Sequence, residues 1–198
     1  MIKPVTKLEK VSLRESAKEI TEITDSTKEI IQNLNDTLIF YNAAGLAANQ
    51  IGYSEKIFIG RINNLPKIFI NPVITKVSEE TQNGMEGCFS VPGVFQALVR
   101  PLWIEISYRD EEFNQQFERY EGLEARMILH EVDHLNGKLF IDKLSQTKKD
   151  LAKVQIAKSK RNGKWNLDDT VIKALAAKIQ HSQEKSNDDE ESIALTAT

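Results

Sequence analysis

Cysteine occurs once in these 198 residues and histidine only three times. A single thiol, Cys88, cannot form an internal disulfide, so a disulfide-stapled scaffold is excluded; a buried spectator, a reactive thiol or a metal ligand remains. No apolar run approaches the ~20 residues that a bilayer span requires. The opening stretch MIKPVTKLEKVSLRES also has no apolar segment of signal-peptide length. A cytoplasmic protein without membrane contact is expected. Internal repeats are missing too, and with 40% apolar residues the chain can bury one good core and is too short to need two.

Charge is scarce in sum and uneven in place. The formal net charge is -3, yet residues 143–164 carry eight basic side chains against Asp150, and residues 182–198 carry five acidic ones against Lys185. This asymmetry divides the chain into three expected parts: a main domain at 1–145, a charged helical extension at 146–181, and a disordered acidic tail at 182–198.

In the main domain, Ser26 and Glu29 read as a capping box, followed by Ile30, Ile31, Leu34 and Leu38 at helical spacing, so a helix is expected over 26–41. From Lys56 to Tyr120 the runs KIFIG, KIFINPVI and LWIEISY, broken by Asn, Pro and Gly, read as strands. A second helix is expected over GLEARMILHEVDHLNG, opened by Gly122 and closed by a left-handed cap at Asn136-Gly137. It is apolar around most of its circumference and so belongs inside the core. Further helices are expected over 145–160 and 167–181.

Two of the three histidines lie on that central helix, in HEVDH at 130–134. Positions i and i+4 share a face, so His130 and His134 can grip one metal ion with Glu131 beside it. A metal would also satisfy two imidazoles that the core would otherwise leave in need of partners. The third ligand decides the chemistry. One peptidase class requires a histidine where this chain has Phe140, which cannot bind metal. Another uses a later carboxylate, for which Asp142, Asp150, Asp168, Asp169 and Glu184 are available. The remaining candidate is Cys88 in EGCFS, 42 positions before His130. A Cys-His-His site leaves one tetrahedral position open, the arrangement of a catalytic centre.

Three stretches in order, AAGLAANQ at 43–50, EGCFS at 86–90 and HEVDHLNG at 130–137, resemble the three motifs of the peptide deformylases, and SVPGVFQALVRP is similar to the segment that follows their cysteine motif. The similarity covers roughly residues 8–145. It implies removal of the formyl group from the N-terminal methionine of new polypeptides, with release of formate. The fold expected is α+β: mixed, mainly antiparallel β-sheets packed around the central metal-binding helix.

By the same resemblance Cys88, His130 and His134 bind the metal and Glu131 handles the proton. The Gln50 side chain and the backbone N–H of Phe89 steady the oxyanion. The peptide lies extended beside Ala44, Gly45 and Leu46. Glu86, Leu123 and Met127 are placed among the substrate residues, the last two on the helix face that leads to His130. Arg100 and Asp133 are expected to pair behind the metal helix. The implied metal is iron(II), with zinc or another divalent ion in aerobic preparations. The implied partners are formyl-methionyl nascent chains, and the basic segment 143–164 is expected to touch ribosomal RNA through Lys148, Lys149, Lys153, Lys160 and Arg161.

Three positions depart from the family pattern. Ala43 replaces a glycine, Phe89 a leucine, and Leu129 a glutamine. They keep two alternatives in view: a divergent relative with another N-acyl substrate or no catalysis, and a metallopeptidase with a carboxylate ligand.

Overall fold

The computed structural model describes residues 1–166; the helix expected over 167–181 and the acidic tail lie outside the described residues. The first helix, α1 (Asp25–Tyr41), starts one residue before Ser26, and its cap lies two residues before the one expected. Thr24 caps it instead: its hydroxyl accepts from the Thr27 N–H at 3.2 Å, and the Thr27 hydroxyl accepts from the Thr24 N–H at 3.3 Å. Ser26 thus falls inside the first turn. Asn42 ends the helix in the left-handed conformation, which asparagine tolerates better than most residues.

Seven strands follow or flank the site: β1 (Gly45–Ala47), β2 (Ile57–Ile62), β3 (Leu65–Val77), β4 (Thr81–Gly87), β5 (Phe95–Pro101), β6 (Trp103–Arg109) and β7 (Gln115–Glu121). These strands pair antiparallel, in a five-stranded sheet ordered β1-β2-β3-β6-β7 and a two-stranded ribbon β4-β5. The strand period of two sorts the side chains. Ile57, Ile59 and Ile70 pack with Ile30, Leu34 and Leu38 of α1. Their neighbours Phe58 and Phe69 stack ring on ring at 4.4 Å on the other face.

That other face receives α2 (Gly122–Leu135), whose Ala125, Met127, Ile128 and Leu135 join Phe58, Phe69, Ile104, Ile106 and Tyr120. The histidine helix is therefore central, as its apolar circumference requires. The chain turns away two residues after the helix, at Gly137, which has φ +68° and lies so close to Arg14 that an added Cβ would stand 2.4 Å from that residue's carbonyl oxygen. The last described helix, α3 (Gln146–Arg161), is capped by Ser145. Its Ala152, together with Trp165 beyond it, is buried against Val91, Val94, Leu98, Leu139, Phe140 and Leu144.

Candidate metal centre and active site

β4 runs out at Gly87 and delivers Cys88 to the face of α2 that carries His130 and His134. One ligand atom from each of the three residues lies within 4.8 Å of the others. Cys88 Sγ is 3.2 Å from His134 Nε2. His130 bonds through Nδ1 to Glu86 Oε2 at 3.0 Å, which leaves its Nε2 for the cluster. Burial alone raises the Cys88 thiol, but the charge of His134 and hydrogen bonds from both histidines pull its pKa well below the usual thiol range, toward the thiolate that binds metal. His130 shows the complementary effect: burial lowers its pKa, and bonds to Cys88 and Glu86 with the charge of Glu131 drive it well above the usual value. The negative potential that draws a proton there is the one that a cation between the three ligand atoms would meet.

Glu131 follows His130 on α2 and is 3% exposed. Its Oε2 is buried and has no hydrogen-bond partner among the described residues. Its pKa is raised to about 7, first by burial and further by the charges of Cys88 and Glu86, which together outweigh the two histidines. A carboxyl poised near neutrality suits a group that must both take and give a proton. Opposite it lies β1. A Cβ built on Gly45 would stand 2.7 Å from Glu131 Oε1 and 2.9 Å from Met127 Sδ, so only glycine lets the strand pass this close.

Gln50 sits in a 3-10 turn (Ala48–Ile51) directly after β1. Its Oε1 accepts from the Ala47 N–H at 2.8 Å, and Nε2 then points to Cys88 Sγ at 3.5 Å and Ser90 Oγ at 3.3 Å. The bond to Ala47 fixes which end of the amide faces the site, leaving a donor turned inward. Asn49 of the same turn donates to the His134 carbonyl oxygen at 2.5 Å, tying β1 to the metal helix.

Behind the ligands is a buried ionic knot centred on Glu86. Arg100 donates to both of its oxygens at 2.8 Å, Arg126 donates to Oε1 at 2.7 Å, and His130 engages Oε2. Burial would raise this carboxyl; hydrogen bonds and charge from Arg100 and His130 hold it at about 2. Arg100 also reaches Asp133 at 2.6 Å, the pair expected from the sequence, and Lys143 meets the same carboxylate at 3.1 Å.

The structure brings Cys88, His130, His134, Glu131, Gln50, Gly45, Glu86 and Met127 together. It gives three residues other surroundings than expected. Glu86, expected among the substrate residues, has Oε1 occupied by Arg100 and Arg126 and Oε2 by Arg100 and His130. Met127 is packed into the core with its sulfur between Gly45 and Gly60, which are partners in the β1-β2 register. Leu123, in the first turn of α2, is 80% exposed. Ala44 and Leu46 flank Gly45 as expected, on an edge strand whose outer side is unpaired among the described strands. Phe89 packs its ring on Tyr41 at 5.0 Å. Ala43 has no left-handed backbone, and its methyl is buried in the first core cluster. Leu129 is half-buried against the second. Sequence reasoning missed Asn49 and Arg126. The second left a signal: a charge four residues before His130 on an otherwise apolar core helix demands a buried partner.

The polypeptide deformylase family profile matches residues 2–150. A peptide deformylase of Thermotoga sp. is 38% identical over 137 residues, 69% of this chain and 84% of that protein. One of Synechocystis sp. is 39% identical over 137 residues, 67% of this chain and 73% of that protein. Among solved structures, a peptide deformylase from Legionella pneumophila superposes with a TM-score of 0.77 at 32% identity, covering 82% of this chain and 98% of that one. With a thiolate and two imidazoles converging beside a buried glutamate, and with likeness along most of its length, this chain belongs to the polypeptide deformylase family.

Proposed function

We propose that the protein removes the formyl group from the N-terminal formyl-methionine of newly made polypeptides by metal-dependent amide hydrolysis, releasing formate and a free amine. The observation that carries this reading is the Cys88-His130-His134 cluster with the unpartnered Glu131 carboxylate oxygen beside it. The cluster fits a divalent ion: it offers a lowered-pKa thiolate and two imidazoles, one oriented from behind by Glu86. When bound, such an ion supplies Lewis acidity, lowering the pKa of water and polarising the formyl oxygen.

The rest of the chemistry falls to the chain's own groups. Glu131 accepts a proton from the attacking water and passes it to the nitrogen as the C–N bond breaks. Gln50 Nε2 and the Phe89 N–H donate to the oxygen that gains charge. The peptide pairs as an added strand with the free edge of β1 at Ala44, Gly45 and Leu46. Iron(II) is the ion proposed, with zinc replacing it in aerobic preparations. Anaerobically purified protein should therefore contain iron and release formate from a formyl-methionyl tripeptide; full activity with zinc as the only metal present would overturn the iron assignment.

Among the described residues no carboxylate joins Cys88, His130 and His134, which disfavours a metallopeptidase; Asp168, Asp169 and Glu184 lie outside the described residues. Asp142 is instead bound to Arg14 at 2.5 Å and to the Leu139 N–H at 2.8 Å. No described helix is long and apolar enough to cross a membrane, and the cytoplasm is the compartment proposed.

Ribosomal RNA is proposed as a further partner of α3. Lys148, Lys153 and Lys160 already engage the Ala97 carbonyl, Asp150 and Glu9, so the exposed Lys158, Arg161 and Lys164 are the groups to test. Reversing these three should abolish salt-dependent co-sedimentation with ribosomes; unchanged co-sedimentation would end the idea.

A further inference from the structure

The N-terminal segment runs past the cysteine loop and is fastened to both sides of the site. The Thr6 N–H donates to the Gln50 carbonyl at 2.7 Å, and the Leu8 N–H donates to the Ser90 carbonyl at 3.0 Å. The residue between them, Lys7, is turned inward and is only 7% exposed. Lysine is among the residues least often buried, because desolvating an ammonium group is costly. Its Nζ donates to the Phe89 carbonyl oxygen at 3.3 Å.

That carbonyl and the Ser90 N–H are two ends of one conjugated peptide plane. The Ser90 N–H donates to Cys88 Sγ at 3.4 Å. An ammonium, a peptide and a thiolate therefore stand in series. A cation on the carbonyl oxygen draws electron density through the amide and strengthens the N–H as a donor, the cooperative polarisation of linked hydrogen bonds in a low-dielectric interior.

We propose that Lys7 is a positioning residue that acts through the Phe89–Ser90 peptide to weaken electron donation from the Cys88 thiolate to the bound metal. This inference rests on the metal-site reading above. Groups behind the ligands tune metal centres in this way. A less donating thiolate leaves the ion a stronger Lewis acid, and makes the sulfur itself harder to oxidise.

Cobalt(II) reports sulfur donation directly, because a thiolate bound to it gives a near-ultraviolet charge-transfer band. The full-length protein loaded with cobalt is compared with Lys7→Met, Lys7→Gln and Lys7→Arg. Loss of the cation raises the energy of the sulfur electrons, so the band of Lys7→Met and Lys7→Gln moves to longer wavelength, and that of Lys7→Arg returns toward the wild type. Cobalt affinity separates this from mere structural damage. Damage behind the ligands lowers metal affinity by about 10–100-fold, whereas a stronger thiolate donor leaves it equal or higher. If Lys7→Met does not fold, Lys7→Gln carries the comparison, since it keeps an N–H donor on a side chain one atom shorter and loses the charge. A band that stays in place in the neutral variants, or a 10–100-fold fall in affinity, overturns the role of Lys7 alone. A wild-type protein that binds cobalt without any thiolate band overturns the metal-site reading as well.

Discussion

Replacing Arg100 by leucine tests the ionic knot that holds the metal helix. Arg100 is 3% exposed and makes three hydrogen bonds of 2.6–2.8 Å to Glu86 and Asp133. Leucine is apolar and smaller, so the change leaves Glu86 short of its two-pronged partner and Asp133 with Lys143. Removing one member of a buried ion pair typically costs about 3–5 kcal/mol, a large share of the roughly 5–15 kcal/mol that keeps a domain folded. Urea unfolding of the metal-free protein at pH 7 measures this directly. A second signature comes from pH. Held at about 2 against an ordinary 4.5, Glu86 contributes stability that is fully present above pH 4.5 and lost as pH falls through about 2. Losing Arg100 removes part of that depression, so the stability gap between the two proteins narrows as the pH drops below 4.5. Because Glu86 also orients His130, metal affinity should fall by about 10–100-fold. A stability loss below ~1 kcal/mol, within the range of an exposed pair, together with unchanged metal affinity would refute the reasoning.

Gly45→Ala forces a methyl to within 2.7 Å of Glu131 Oε1, and a displaced base loses its aim; kcat/KM should fall by roughly 100-fold in a steady-state formate assay, with far-ultraviolet circular dichroism unchanged. Glu131→Gln removes a carboxyl whose folded pKa is about 7 against 4.5. A raised carboxyl contributes stability that is present below pH 4.5 and lost as pH rises through about 7, so the metal-free wild type should lose on the order of 3 kcal/mol relative to the variant over that range. A flat difference in parallel urea titrations would contradict this. Trp165→Ala empties a site that is 7% exposed in the third core cluster and should cost about 3–5 kcal/mol; thermal unfolding unchanged from the wild type would show that the segment beyond α3 is not part of the core.

Much of this was legible in the sequence because the decisive patterns are local. Helical spacing put His130 and His134 on one face, and the apolar circumference of the same stretch put that face in the core. Strand runs at 56–60, 67–74 and 102–108 fell on β2, β3 and β6. What escaped depends on register and on distant partners. Nothing local shows that Gly45 will pair with Gly60 and make a slot for the Met127 sulfur, so that side chain read as a pocket wall. Glu86 opens the cysteine motif and read as a substrate residue; its arginines arrive from β5 and α2, 14 and 40 positions away. The helix cap moved from Ser26 to Thr24 because two threonines three apart can cap reciprocally, a version of the box that a search for Ser followed by Glu passes over. Leu123 shares its helix face with His130 by spacing alone, and the first turn of α2 leaves it in solvent.

In the proposed reaction Glu131 carries the proton beside a metal held by Cys88, His130 and His134. The most direct test is single-turnover formate release from a formyl-methionyl tripeptide by iron-loaded wild type and Glu131→Gln, with metal content measured in both. Equal iron is expected, with release abolished in the variant. Equal iron with release retained would contradict that role for Glu131.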